Sequence, residues 1–118
     1  MIMLEIYGIK NCSSMKKAFD ALDANGLRYT FHDYKKQGID AETLGVWLEN
    51  IGPELLVNKK GTTWRKLSPE QQQAALSDTA TLIQTLIEQP SIIKRPVLKT
   101  DSGFVVGFDA DTYAALKG

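Results

Sequence analysis

The single cysteine of this 118-residue chain, Cys12, stands where a thiol could do chemistry. It follows an apolar run over 2–7 and a turn-like Gly-Ile-Lys-Asn segment, and it precedes an amphipathic stretch over 13–25 that predicts a helix. Backbone N–H groups at a helix N-terminus are unpaired and favour an anion, so a thiol placed there should have a lowered pKa. The alternative is a small buried apolar residue, which is the usual setting of a free cysteine.

Two lysines flank this thiol in the sequence. Lys10 lies in the loop before Cys12. Lys16 follows Cys12 by four residues, about one helical turn, which places Lys16 and Cys12 on the same face of the predicted helix. Their positive charge would stabilise a thiolate. Each also has a plain interpretation as a solvated surface lysine.

Composition and charge narrow the classes of protein. The 14 basic and 14 acidic residues balance, so no global charge favours nucleic acid or an anionic membrane. One cysteine excludes an internal disulfide, argues against a structural zinc site and fits a reducing compartment. The first residues lack the regions of a signal peptide, and no apolar run approaches the ~18 residues of a membrane span. We therefore expect a cytoplasmic protein without a metal, large enough to be a stable monomer.

The hydrophobic pattern predicts an α/β chain. Predicted strands over 2–7 and 27–34 flank the first helix, and this order indicates a right-handed βαβ unit with parallel strands. Capping residues predict helices over 41–50, after Ser68 and after Asp78. The remaining predictions are a turn at 35–38, a polar loop at 58–63, an extended segment at 91–96, hairpin strands at 97–99 and 104–107, and a last helix over 110–116.

Several other polar and aromatic residues have plain interpretations. His32 lies on the polar face of an edge-prone strand, Asp33 reads as solvated, and Trp47 as core. The Trp64-Arg65 pair leaves two alternatives open: a loop held by a buried Trp64, or an exposed anchor for a protein partner.

The order β-α-β, helices, β-β-α, with a thiol at the first strand-to-helix junction and an X-Pro before the third strand, resembles the thioredoxin superfamily. It implies an α/β thioredoxin-like fold with a small mixed sheet and a helical insertion at about 40–89. The chain is further similar to the arsenate-reductase-like (ArsC/Spx) family, and within it to the YffB-like subgroup. The segments that carry this similarity are 7–12, 32–36, 61–67 and 90–98.

The resemblance covers nearly the whole chain. It implies one ArsC-type domain over 1–118, with a thioredoxin-like core formed by 1–38 and 90–118 around an insertion at 39–89. It also implies a glutathione-dependent thiol–disulfide oxidoreductase with Cys12 as nucleophile, acting on a small thiol or disulfide substrate. A protein partner is expected instead if the chain is a non-catalytic binding protein.

The site residues that the resemblance implies are basic and lie around one proline. Arg95 matches an arginine beside the family's active-site proline, and Pro96 matches that proline, which is typically cis. Glutathione carries two carboxylates, which form charge-assisted hydrogen bonds with cationic side chains. The expected binding residues are Lys10, Lys16, Arg95 and Pro96, with Lys59, Lys60 and Arg65 of the insertion as the other wall.

Arsenate reductases of this family differ from the chain at defined positions. They carry a His four residues before the cysteine and an Arg four residues after it, where this chain has Gly8 and Lys16. Three further arginines of these enzymes form the site for a tetrahedral oxyanion, and they correspond to Asn58, Arg95 and Gly107. This chain therefore keeps only Arg95 of the three. Arsenate reduction is therefore the weaker alternative.

Spx transcriptional regulators offer the other alternative. Many of them carry a Cys-x-x-Cys switch, whereas the run here is Cys12-Ser13-Ser14-Met15. Because no resolving thiol is present, a disulfide on Cys12 must form with a partner molecule. A non-catalytic, Spx-like protein-binding regulator remains open, and it would not need the thiol.

Overall fold

The computed structural model describes residues 4–116, which fall into two compact units. The thioredoxin-like unit contains 4–37 and 95–116, and the helical unit contains 38–94. The helical unit is slightly longer than the predicted insertion, and the single domain over 1–118 stays a prediction. Ile2 and Met3, which the first predicted strand included, lie outside the described residues, as do 117–118.

A four-stranded mixed sheet forms the centre of the thioredoxin-like unit. Strand β1 (Leu4–Gly8) pairs in parallel with β2 (Tyr29–Asp33) and antiparallel with β3 (Val97–Thr100). Strand β4 (Gly103–Val106) completes the order β2-β1-β3-β4, so β1 is central and β2 is an edge. The predicted α/β class, the small mixed sheet and the parallel βαβ start are confirmed.

Helix α1 (Ser13–Ala24) connects β1 to β2 and ends in a glycine cap. Gly26 has φ +66°, its N–H bonds to the Asp23 carbonyl at 3.0 Å, and the Leu27 N–H reaches the Leu22 carbonyl at 3.0 Å. These two bonds form a Schellman motif. The predicted start of the second strand at residue 27 is therefore wrong, because Leu27 closes the helix and β2 begins at Tyr29.

The predicted turn at 35–38 is instead a short helix, α2 (Tyr34–Gln37). The Asp33 carboxylate accepts the Lys35 N–H at 3.0 Å, and the Gln37 side chain accepts the Asp33 N–H at 3.2 Å. This local pairing satisfies backbone groups at the helix start. The interpretation of Asp33 as solvated is also wrong, since this capping residue is only 7% exposed.

Five helices and one 3₁₀ turn form the helical unit. Helix α3 (Ala41–Asn50) has the predicted bounds, and its N-cap Asp40 accepts the Thr43 N–H at 2.7 Å. A capping box between Ser68 and Gln71 starts helix α6 (Pro69–Ser77), as the Ser-Pro sequence predicts. The elements are α3 (Ala41–Asn50), α4 (Pro53–Leu56), α5 (Thr62–Lys66), α6 (Pro69–Ser77), α7 (Thr79–Glu88) and the 3₁₀ turn (Pro90–Ile92).

Two segments of the helical unit differ from expectation. The polar loop ends earlier than predicted, because Thr62 already begins α5. The segment over 91–96 is not fully extended, since Pro90 opens the 3₁₀ turn and the Ile93 N–H bonds to its carbonyl at 3.0 Å.

The last helix, α8 (Ala110–Ala114), packs on the core of the thioredoxin-like unit. It is shorter than the predicted helix over 110–116. Its N-cap Asp109 accepts the Thr112 N–H at 2.9 Å, and Tyr113 is fully buried in a cluster with residues of α1 and β1. Within residues 4–116, no helix combines the length and apolar character needed to cross a membrane.

Candidate active site

Cys12 lies at the predicted junction, directly before α1. Its backbone is extended (φ −144°, ψ 132°), as at an N-cap, and its carbonyl accepts the Lys16 N–H at 3.0 Å. The thiol is half-buried, beside the core cluster of the thioredoxin-like unit. The β1–α1 connection therefore holds the sulfur at the open N-terminal end of the helix.

Burial and polar neighbours act in opposite directions on this thiol. Burial raises the pKa of Cys12, whereas the backbone N–H groups of Met15 and Ser14 lower it, followed by the hydrogen bond and positive charge of Arg95. The Cys12 side chain makes no regular capping hydrogen bond, but these groups face the sulfur. The net pKa lies below that of an ordinary cysteine, because the polar groups outweigh burial.

Arg95 reaches the thiol because of the strand order. Residues Tyr7 of β1 and Val97 of β3 are paired, so the start of β3 lies beside the end of β1 that leads to Cys12. Arg95 is half-buried, and its peptide bond to Pro96 is cis, as the resemblance implies. The structure thus brings together Cys12, Arg95 and Pro96 in one unit.

Tyr34 is a member of this neighbourhood that the sequence analysis did not identify. It is 3% exposed, and within residues 4–116 its hydroxyl has no hydrogen-bond partner. Burial raises the pKa of Tyr34, Tyr7 raises it further, and the positive charge of Arg95 lowers it. The signal in the sequence was weak, because a Tyr after a strand is equally compatible with a surface position.

The His32 ring lies between Tyr34 and Tyr7 of the central strand β1. His32 lies 4.9 Å from the Tyr7 ring and 6.1 Å from the Tyr34 ring, measured between centroids. His32 is therefore half-buried among aromatic rings and not simply on the surface, which corrects the sequence interpretation.

The two lysines near the thiol have different surroundings. The Lys16 ammonium bonds to Asp20 at 3.0 Å, one helical turn farther from Cys12, with both side chains mostly exposed. Lys10 is exposed in the β1–α1 connection. A role for either in binding glutathione stays a prediction.

The predicted site residues of the insertion lie in the helical unit. Lys59 and Lys60 are exposed in the turn before α5, and Arg65 is exposed on α5. Their participation in the same site as Cys12 stays a prediction. Trp64 is 4% exposed, so the interpretation as a buried anchor of this segment is correct and that of an exposed interaction anchor is wrong.

In the described part of the chain, no three His, Cys, Asp or Glu residues are arranged to hold a metal ion. The groups that could hold a small ligand beside the thiol are the Arg95 guanidinium and the N–H groups of Ser14 and Met15.

The sequence is similar to a protein family and to several known proteins. The model of the ArsC family matches residues 7–116. An uncharacterized protein of Haemophilus influenzae is 39% identical over 113 residues, covering 96% of this chain and 97% of that protein. The global transcriptional regulator Spx of Enterococcus faecalis is 24% identical over 111 residues, covering 92% of this chain and 82% of the regulator.

Solved structures of related proteins are also similar to this chain. A YffB protein is 46% identical, covers 95% of this chain and 96% of its own, and has a TM-score of 0.87. An arsenate reductase (ArsC) related protein from Brucella melitensis is 47% identical, covers 96% of this chain and 92% of its own, and has a TM-score of 0.75. These likenesses extend over nearly the whole chain.

Proposed function

The chain belongs to the ArsC family, and we propose that it is a glutathione-dependent thiol reductase in which Cys12 is the nucleophile. Membership of this family supports a thiol-based redox or reductase-like role. The observation that carries the finer proposal is the lowered pKa of Cys12, produced by two helix N–H groups and the Arg95 guanidinium. A thiolate is the form of cysteine that attacks disulfides.

The first step resolves a mixed disulfide between glutathione and a substrate thiol. The Cys12 thiolate attacks the glutathione sulfur, a new disulfide forms between Cys12 and glutathione, and the substrate leaves as a thiolate that takes a proton from water. No net oxidation occurs in this exchange, since one disulfide replaces another.

The second step regenerates the enzyme with a second glutathione. Its thiolate attacks the glutathione sulfur of the adduct, oxidised glutathione leaves, and Cys12 returns to the thiolate. An external thiol is required because the sequence has no second cysteine. Over the two steps, the mixed disulfide and one glutathione thiol are converted into the free substrate thiol and oxidised glutathione.

Cationic groups would hold the tripeptide during both steps. Arg95 lies against the thiol and can form a bidentate pair with a carboxylate. Lys10 and Lys16 flank Cys12 in the chain, and Pro96 fixes the start of β3.

Arsenate reduction is a weaker candidate for this chain. A side chain in place of Gly8 would overlap the buried side chain of Met15, so the His of arsenate reductases requires repacking there. Gly107 has φ +77°, a backbone conformation that an Arg rarely adopts. Two positions at which this chain differs from arsenate reductases therefore carry glycines that the local packing and backbone favour.

A Spx-like protein-binding role is the runner-up, supported by the distant Spx relatives. In the described residues, the exposed large apolar side chains are Val46, Leu55 and Leu76, all in the helical unit. Single exposed apolar residues are ordinary on monomers. The thiol chemistry explains more of the observed geometry than this role does.

Replacement of the nucleophile tests the proposal. We expect Cys12→Ser to abolish release of thiol from the mixed disulfide of glutathione and 2-mercaptoethanol, because serine is not ionised at neutral pH. Ser13→Ala, one residue away and exposed, is the matched control and should retain activity. Equal activity of the two variants would refute the proposal, and full binding of a partner protein by Cys12→Ser would favour the regulator.

A further inference from the structure

A cavity of about 460 Å³ lies along the edge strand β2 in the thioredoxin-like unit. This β2 cavity has the volume of a small-molecule site, and of its lining residues the proposed thiol chemistry uses only Lys10. Its walls divide into an aromatic part and a charged part. The aromatic part lies near the start of β2, at Tyr29, and the charged part lies near its end, at Asp33.

The aromatic part is formed by Phe19 of α1 and by Tyr29 and Phe31 of β2. The Phe19 ring is stacked on Tyr29 at 5.6 Å and meets Phe31 edge-on at 5.0 Å. All three side chains are half-buried and remain accessible from the cavity. Flat aromatic ligands interact favourably with such rings.

The charged part lies at the carboxyl ends of β1 and β2. Because the strands are parallel and Gly8 pairs with Asp33, Lys10 and Lys36 follow these strands at the same edge of the sheet. Ligands of open α/β sheets bind at this edge.

The charges at this end select for a single negative charge. Both ammonium groups are exposed, and neither forms an ion pair within residues 4–116. The Asp33 carboxylate is already engaged by the Lys35 N–H, and the Gln37 amide oxygen by the Asp33 N–H. Two ammonium groups and one carboxylate leave one positive charge unmatched, which equals the single negative charge of a carboxylate ligand.

We propose that the β2 cavity binds a small aromatic monocarboxylate, with its rings on Phe19 and Tyr29 and its carboxylate between Lys10 and Lys36. The strand rises about 13 Å from Tyr29 to Asp33, which accommodates a two-ring acid lying lengthwise. This site does not depend on the redox role of Cys12.

Titration of the full chain with 2-naphthoate, followed by amide NMR shifts, tests the site. We expect saturable binding with shifts concentrated in β2 and α2. Naphthalene-2-carboxamide, which has the same rings without the charge, should bind about tenfold more weakly, the equivalent of about 1.4 kcal/mol. Absence of saturable binding, or equal affinity for acid and amide, would overturn the proposal.

Charge variants locate the carboxylate. Lys10→Gln/Lys36→Gln should weaken 2-naphthoate binding about tenfold. Lys17→Gln/Lys35→Gln is the matched control, because it removes the same charge from exposed positions of α1 and α2 outside the cavity. Equal weakening by both pairs would show a general charge effect and overturn the site.

A variant of the aromatic part completes the test. Phe19→Leu should weaken the acid and the amide alike, since it removes a ring that both ligands contact. Circular dichroism verifies that this variant is folded. Unchanged affinity in the folded variant would contradict the assignment of the rings.

Discussion

At Cys12, burial raises the thiol pKa and would by itself make the residue inert. The N–H groups of Met15 and Ser14, together with Arg95, reverse that effect. The two N–H groups belong to the first turn of α1, whereas Arg95 arrives from a segment more than eighty residues away in the chain. Reactivity at this residue thus depends on both local structure and strand pairing.

Removal of the guanidinium should make the thiol harder to ionise. Arg95→Gln is expected to raise the pKa of Cys12, because Arg95 lowers it in the native protein, and so to reduce the thiolate fraction at pH 7. Ultraviolet absorbance of the thiolate measures this change during a pH titration. Lys94→Gln, the exposed neighbouring cation, is the control and should leave the titration unchanged; equal curves for Arg95→Gln and the native chain would contradict the assignment.

The position of Cys12 was predictable from the sequence, because it follows from a local change from strand to helix. The pairing of Lys16 with Asp20 was equally local, at spacing i,i+4, but was not identified. Tyr34 could not be identified, since its burial beside Arg95 depends on packing between distant segments.

Among the elements, helix starts followed the sequence more closely than strand limits. Side-chain caps are local signals: Asp40, Ser68, Asp78 and Asp109 each accept an N–H three residues later. The start of β2 was misplaced because the Schellman end of α1 takes Leu27. A strand limit is set by its partner strand, which a single segment does not reveal.

Two of these caps should make stability depend on acid pH. Hydrogen bonds from Thr81 and Thr112 hold the pKa of Asp78 and Asp109 below the ordinary value of about 4. A lowered folded-state pKa stabilises the protein above the unfolded-state value, and this contribution is lost as pH falls through the folded-state value.

Asparagine tests this dependence, since it also caps helices but does not titrate. Asp78→Asn/Asp109→Asn should therefore be less stable than the native chain to urea at pH 7, and the difference should shrink below about pH 4. The control variant Asp101→Asn changes an exposed carboxylate in a turn, away from every helix start. A stability difference that is constant from pH 7 to pH 3 would contradict the linkage.

For the whole molecule, the alternation of strands and helices was enough to predict the α/β class and the mixed sheet. The boundaries of the two units were less predictable, because they depend on which segments pack together and not on a change in composition. The groups that lower the pKa of the thiol, on Ser14, Met15 and Arg95, all belong to the thioredoxin-like unit.

We also expect the chain to be a monomer. Its balanced charge and scattered exposed apolar residues provide no extended apolar face in the described part of the chain. Sedimentation equilibrium under reducing conditions, which prevent a Cys12–Cys12 disulfide, should yield a mass of 13.1 kDa. A concentration-independent mass of twice that value would refute the expectation.

The rate of alkylation of Cys12 against pH tests the central claim most directly, because the thiolate alone reacts and the chain has no other thiol. We predict a midpoint below the value of about 8.5 for a free cysteine. A midpoint at or above that value would show that burial prevails over the helix N–H groups and Arg95, and would contradict the assignment of Cys12 as an activated nucleophile.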